Sequence, residues 1–413
     1  MKINIAFNFN IDMPDCKIDT IIAALKKVLP LFLTEFVKTI LLEFANHYMQ
    51  EAEKPFSCDK CANNKSFIWK TRNAKATTII TIFGEIVLGQ LQIQCKTCGH
   101  KMFITRKLLE ICRYQKMSQS TIKILALIGS LVSFRVSKKI LGMFNIPLNK
   151  ITVWRCVQKI GEDIEFDLDL DEAPRGQADG TGIPIQGIKK RGKELKVFIQ
   201  EKIGGGIRIA GLAIGNYDSG WNKLFDPILE TLKLFPSFLL ITDGDTSILK
   251  GIKSLNIVFQ RCLWHIPHQM KYYLWKDKAV RKSKEWIYVM CRLIDITTVR
   301  TLLHDEDEIN AVVKLKTDQL EELIKYCQKH KWNSCVTYLQ NAMPDMFTAF
   351  KNKLNGKTTS KVERVMRTVN LRINVGKWSA SGALNTVKIR LAHYYNGFNV
   401  DKQNDKNITV AIL

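Results

Sequence analysis

The chain has 413 residues, 46% of them hydrophobic, so it can bury a sizeable core and has room for two to four domains; a disordered tail protein is excluded. Its 62 Lys and Arg against 39 Asp and Glu leave a formal charge of +23, which implies a polyanionic partner, nucleic acid first. No apolar stretch is long enough to span a bilayer, because 21–44 is interrupted by Lys26, Lys27, Glu35 and Lys38.

The segment 1–12 has no basic region followed by an apolar core, so the expected location is the cytoplasm, at the nucleoid if DNA is the partner. Eleven cysteines in such a chain predict bound metal, not a disulfide framework. An N-terminal helical segment, 1–54, has Ile22, Leu25, Val28, Leu29, Phe32, Phe36 and Ile40 at helical spacing with Pro30 among them. One kinked helix or two short ones are expected, packing on the next domain or serving dimerisation. In 55–106, Cys58-Asp-Lys-Cys61 and Cys95-Lys-Thr-Cys98 are two knuckles that bring four thiolates to a tetrahedron, the arrangement Zn2+ favours. The alternating Thr, Ile, Val and Gly of 76–93 predict the strands of a zinc ribbon.

Three helices are predicted in 107–172, over 118–131, 133–144 and 150–164, with a turn at Asn145 to Asn149. The layout suits a helix-turn-helix whose last helix presents Arg155, Gln158 and Lys159 to double-stranded DNA, or a plain three-helix bundle. The acidic run Asp163, Glu165, Asp167, Asp169, Asp171 and Glu172 reads as a linker or domain boundary.

An α/β domain follows, 173–274 and 356–413. Strands at 195–200 and 207–214 turn at Gly204 to Gly206; a helix at 221–234 precedes a fully apolar strand, Phe238–Thr242, which ends in Asp243-Gly244-Asp245. That order matches a ribonuclease-H-like mixed sheet, with Asp179 at the start of the series and Asp243 at a strand's carboxyl end. Each also has an ordinary reading: Asp179-Gly180 as a turn, and Asp245 as the N-cap of the next helix. A strand at 256–260 leads to Cys262-Leu-Trp-His265. The block 275–355 has helical spacing throughout and reads as an all-helical insertion, with Cys291, Cys327 and Cys335 in its core.

Asp179-Gly-Thr-Gly-Ile, Asp243-Gly, Cys262-Leu-Trp-His265 and Glu363 in Thr359-Ser-Lys-Val-Glu363-Arg together resemble the DDE transposases, in particular the Mutator-like group of insertion-sequence transposases. The resemblance covers 179–395 as an ordered set. It implies a metal-binding triad of Asp179, Asp243 and Glu363, with Cys262 and His265 as an accessory pair beside it. The implied activity is strand cleavage and strand transfer with Mg2+ or Mn2+, by a homo-oligomer assembled on the element's ends and target DNA. Three carboxylates suit this chemistry because hard oxygen ligands hold two ions, which stabilise both the attacking and the leaving oxygen.

For Glu363 the competing reading is a capping box with Ser360. Lys361, Arg364, Arg367 and Arg372 flank it and are candidate contacts to the DNA backbone, as is Lys357. A non-catalytic DNA-binding protein derived from a transposase, and a structure-specific nuclease with the same sheet, are the alternatives.

Overall fold

In the computed structural model, which describes residues 10–398 apart from 72–75, 113, 147, 189–192, 218–219, 245–246, 253–256, 300–304, 355–357 and 374–375, a single helix α1 (Ile18–Gln50) runs through Pro30. A proline inside a helix costs roughly 3 kcal/mol. Tertiary packing offsets that cost, because Leu33 and Val37 just beyond it lie on Ile79, Ile86 and Leu88. Further along, Leu41 and Ala45 join Phe56, Phe67, Leu91, Ile93 and Met102 in a second small core.

The described residues fall into two compact units, one up to Ile160 and one over Gly161–Phe398. In the first, strands β1 (Phe67–Thr71), β4 (Gln92–Cys95) and β5 (Lys101–Phe103) form one antiparallel sheet, and β2 (Ala76–Thr81) pairs with β3 (Gly84–Gly89) in a hairpin. The short helix α2 (Thr105–Leu108) closes this region, its Thr105 hydroxyl donating to Gly89 O and accepting from Leu91 N.

Helices α3 (Gln119–Leu131) and α4 (Phe134–Met143) start at Ser118 and Ser133, whose hydroxyls accept the N–H groups of Thr121 and Val136. Helix α5 (Lys150–Glu162) ends two residues before the expected Ile164. It packs closely on α3, since a Cβ at Gly129 would lie 2.7 Å from Val157 and 2.8 Å from Val153.

The boundary between the two units, at Ile160 and Gly161, falls just before the acidic run, which is packed into the second unit and is not a free linker. Leu168 is buried in the core of the second unit, the Asp169 carboxylate pairs with Arg208 at 3.0 Å, and Gln200 bonds both backbone groups of Asp169. There a five-stranded mixed sheet has the order β10-β9-β6-β7-β8, made of β6 (Arg175–Ile183), β7 (Lys193–Glu201), β8 (Ile207–Gly215), β9 (Phe238–Thr242) and β10 (Ile257–Arg261). Strands β6, β9 and β10 are parallel, while β7 and β8 run antiparallel to their neighbours.

The helix expected at 221–234 is divided by Asp226-Pro227 into α6 (Asn222–Phe225), a 3-10 turn and α7 (Leu229–Lys233). With α8 (Ser247–Ile252) these cover one face of the sheet, on Ala178, Phe198, Phe238 and Leu240.

The helical block takes in, ahead of 275–355, the helix that begins at His265: α9 (His265–Lys276), α10 (Lys284–Thr297), α11 (Glu306–Lys329), α12 (Asn333–Ala342) and α13 (Thr348–Lys351). Ile266, Met270 and Leu274 of α9 belong to its core together with Cys327 and Cys335. Cys291 is exposed instead, because α10 turns Val289, Met290, Leu293 and Ile296 inward. Finally, α14 (Ser360–Ile373) and α15 (Ala380–Tyr395) cover the sheet's other face, on Leu195, Val197 and Ile199. No described helix is long and apolar enough to cross a membrane.

Candidate active site and cysteine metal centre

Parallel pairing between β6 and β9 sets Gly176 against Leu240 and Gln177 against Ile241. Continued by two residues, this register brings Asp179 level with Asp243. On the far side of β9, Arg261 pairs with Thr242 and Cys262 N donates to Thr242 O at 2.7 Å, so Cys262 stands level with Asp243 too.

Side chains alternate across a sheet. Ala178 faces α6 to α8, so Asp179 shares the opposite face with Gln177, Thr181 and Ile183. That face meets α14: Gln177 Oε1 accepts the N–H groups of Lys361 and Val362, and Thr181 bonds Asn370. Gln177 thereby satisfies two orphan donors at the start of α14 and fixes where Glu363, in its first turn, enters. Asp179 is therefore no turn residue. It lies mid-strand opposite Val197, and the glycine after it leaves room for the Glu194 side chain, which a Cβ at 180 would approach to 2.5 Å.

The capping box at Ser360 gives way to a different arrangement. Thr359 O, one residue earlier, accepts the Glu363 N–H at 3.0 Å. The Glu363 carboxylate turns to His265, with Oε1 at 3.2 Å from Nε2. Thr359 is buried, and its hydroxyl lies 3.3 Å from Cys262 Sγ, 3.2 Å from His265 Nδ1 and 3.4 Å from Glu363 Oε1. Its backbone N–H also donates to Cys262 Sγ, at 3.3 Å.

Electrostatics tie these groups together. Burial, then repulsion from Asp243 with a smaller push from Glu363, raises the Asp179 carboxyl to about 7, against the Gly180 N–H and His265, which lower it. Burial pushes the Cys262 thiol up, but hydrogen bonds from His265 and Thr359 outweigh it and hold the thiol below its ordinary value. Burial likewise disfavours the His265 imidazolium, yet Cys262, Glu363 and Asp243 together raise its pKa. The pair thus leans toward thiolate and imidazolium. Cys262 is fully buried, so it serves as an acceptor inside the wall of the site and not as an exposed nucleophile.

The flanking basic residues differ among themselves. Arg364 and Arg367 are exposed. Lys361 is committed elsewhere, pairing at 2.6 Å with Glu201, a buried acid that also binds Arg175 and Gln177. Arg372 lies over the Trp378 ring at 5.1 Å. Lys357, Asp245 and 399–413 lie outside the described residues.

In the first unit, Cys58 Sγ lies 3.5 Å from Cys98 Sγ, and Cys61 Sγ lies 3.7 Å from Cys95 Sγ. All four sulfurs lie within 4.8 Å of one another, the only such group of His, Cys, Asp and Glu ligands among the described residues. A tetrahedron with Zn–S bonds of 2.3 Å has edges of about 3.8 Å, so the four thiols fit a metal ion such as Zn2+. Both knuckles end in a left-handed residue, Ala62 at φ 55° and Gly99 at φ 70°. Burial opposes it, but the N–H groups of Cys98 and Thr97 and the Asn63 amide draw the Cys95 thiol down to about 6, favouring the ligating thiolate.

On α5, Arg155 and Lys159 are exposed and Gln158 is half-buried, while Val153, Cys156 and Val157 face inward.

Thr359, Gln177 and Arg261 were not singled out from the sequence. Reading the helix start one residue earlier would have found Thr359; for Gln177 the only signal is its place two residues before Asp179, on the same face of the strand. No protein-family model matches the chain, and none of the curated proteins matches it.

Proposed function

We propose that the second unit is a ribonuclease-H-like catalytic domain and that the protein is a DNA transposase of the Mutator-like insertion-sequence type. In order of appearance along the chain, the strands lie 3-2-1-4-5 across the sheet, with the second antiparallel to the first, the topology expected of that fold. The observation that carries the reading is the meeting of Asp179, in the middle of β6, with Asp243, just past the end of the adjacent parallel strand β9, and with Glu363 on α14 against the same face. Burial and then repulsion from Asp243 raise the Asp179 carboxyl to about 7, and a cation beside it would favour the ionised form, so the donor set suits Mg2+ or Mn2+.

Asp179, Asp243 and Glu363 would hold the ions, which when bound stabilise the attacking and leaving oxygens of an in-line displacement at phosphorus. His265 keeps the Glu363 carboxylate turned inward, and Thr359 joins His265 to the buried Cys262. Arg364 and Arg367, exposed on α14, would meet DNA phosphates, and the cysteine metal centre with α3 to α5 would bind double-stranded DNA at the element's ends. A homo-oligomer on DNA belongs to this reading.

The test is strand cleavage and joining on the DNA that flanks the encoding gene. Wild-type protein should nick and join in Mg2+ or Mn2+, and Asp179→Asn and Asp243→Asn should do neither while still binding DNA. Activity that survives both substitutions refutes the proposal.

A further inference from the structure

The turn that carries Asp243 is held from the sheet's last strand. Gly244 has φ 100°, a conformation side chains rarely adopt, and a Cβ there would lie 2.0 Å from Arg261 Nη1. The close approach has a purpose in the packing. Arg261 is only 4% exposed, and its Nη1 donates to Gly244 O at 3.2 Å. Its Nη2 donates to Asp345 Oδ2 at 2.9 Å and to Asn341 O at 3.3 Å, both in the helical block.

Its neighbour Gln260 stitches the same two parts together. Gln260 Nε2 donates to Met346 O at 2.7 Å, and Gln260 Oε1 accepts from Ala349 N at 2.8 Å. From α9, Gln269 Nε2 reaches Asp243 O at 3.4 Å. The backbone around the second acid is therefore fastened by side chains whose own orientation the helical block controls.

We infer that Arg261 is a positioning residue for Asp243, and that Asp345 aims it, so that the helical block sets the placement of the second acid. This rests on the proposed function, in which Asp243 is a metal ligand. A buried guanidinium has few ways to satisfy its fork of donors, and a carboxylate at 2.9 Å fixes its plane. With that plane fixed, Nη1 can meet only a carbonyl placed where Gly244 O lies. If Asp345 is neutralised, the fork is free to turn, and the Asp243-Gly244 peptide loses its outer restraint without any change in the ligands themselves.

The experiment uses full-length protein, with Mn2+ binding read by electron paramagnetic resonance and amide exchange read on a peptide spanning 239–244. Asp345→Asn keeps an acceptor while removing the charge. Gly244→Ala acts from the other side by displacing Arg261, and carries the test if Asp345→Asn does not fold. Each should weaken Mn2+ binding about tenfold and speed exchange of the turn, with zinc content unchanged. Wild-type Mn2+ affinity and exchange in both folded variants would overturn the inference. If instead wild type and Asp243→Asn bind Mn2+ equally, it is the proposed function that fails.

Discussion

His265 Nε2 stands 3.2 Å from Glu363 Oε1, so the histidine at the start of α9 and the acid in the first turn of α14 form one ion pair. Because the other ring nitrogen meets the Thr359 hydroxyl, the imidazole is held at both ends and can fix the carboxylate's direction. Under the proposed function, Glu363→Gln keeps size and hydrogen bonding but removes the negative charge. The variant should fold, bind zinc and bind DNA normally, yet neither nick nor join. His265→Ala should retain residual cleavage, reduced about 10- to 100-fold, the usual cost of losing a residue that orients a ligand. Cleavage at the normal rate by His265→Ala would leave the pair with a packing role only.

The four cysteines predict about one zinc per chain, measured by metal analysis of protein purified without chelator. Their sulfurs stand at ligand separations, and Cys58 and Cys95 are themselves part of the small core with Phe56, Phe67 and Ile93, so metal binding and local folding should be coupled. Cys58→Ser should lose the metal and expose the β1 to β5 region to protease. Cys95, drawn toward the thiolate but buried, should become reactive to a thiol reagent when loss of zinc opens this region. Protein that folds fully with no bound metal would refute this.

DNA affinity should fall linearly in a plot of log K against log salt, as expected for a chain of charge +23 releasing counterions. Arg155→Ala and Lys159→Ala, on the exposed face of α5, should lower discrimination between element ends and random DNA more than total binding. Arg364→Ala and Arg367→Ala should weaken both equally and each reduce the salt slope by about 1. Lys361→Ala should behave differently, since it removes a partner of buried Glu201 and so costs stability. Equal loss of specific and nonspecific binding in the α5 variants would show that this helix is not the reader.

Much of the fold was legible where one local signal dominated. The all-apolar run Phe238–Thr242 is a strand buried across its whole length, a short-range pattern, and the two CxxC knuckles meet across the intervening strands because ligand spacing within each already marks them as halves of one metal site. Where tertiary partners decide, the sequence settled less. At Pro30 the pattern left one kinked helix or two short ones open, and packing on Ile79 and Leu88 carries a single helix through it. Acidic residues at 163–172 looked like a linker or domain boundary because their partners, Arg208 and Gln200, lie some thirty or more residues away. The site divides in the same manner: Asp179, Asp243 and Glu363 could be named from motifs, whereas Thr359, Gln177 and Arg261 gain their meaning only from residues far along the chain.

The last prediction concerns Asp179, whose carboxyl is raised from 3.8 to about 7, chiefly by burial and then by Asp243. In the unfolded chain the same carboxyl ionises near its ordinary value. Between those two pH values the folded state holds a proton that the unfolded state has released, so the folded state binds more protons and stability falls as pH rises. The contribution from the neutral acid is complete below about pH 4 and gone above about pH 7. Asp179→Asn removes this dependence, since its amide stays neutral. In metal-free buffer the variant's melting temperature should therefore gain on wild type progressively from pH 4 to pH 7 and stay level above that. Millimolar Mg2+ or Mn2+ at pH 8 should reverse the order, because a cation stabilises the ionised wild-type pair and has less to bind in the variant. A gain that is the same at every pH would mean that Asp179 is ionised throughout. A gain that Mg2+ and Mn2+ leave untouched would separate the buried acid from any metal.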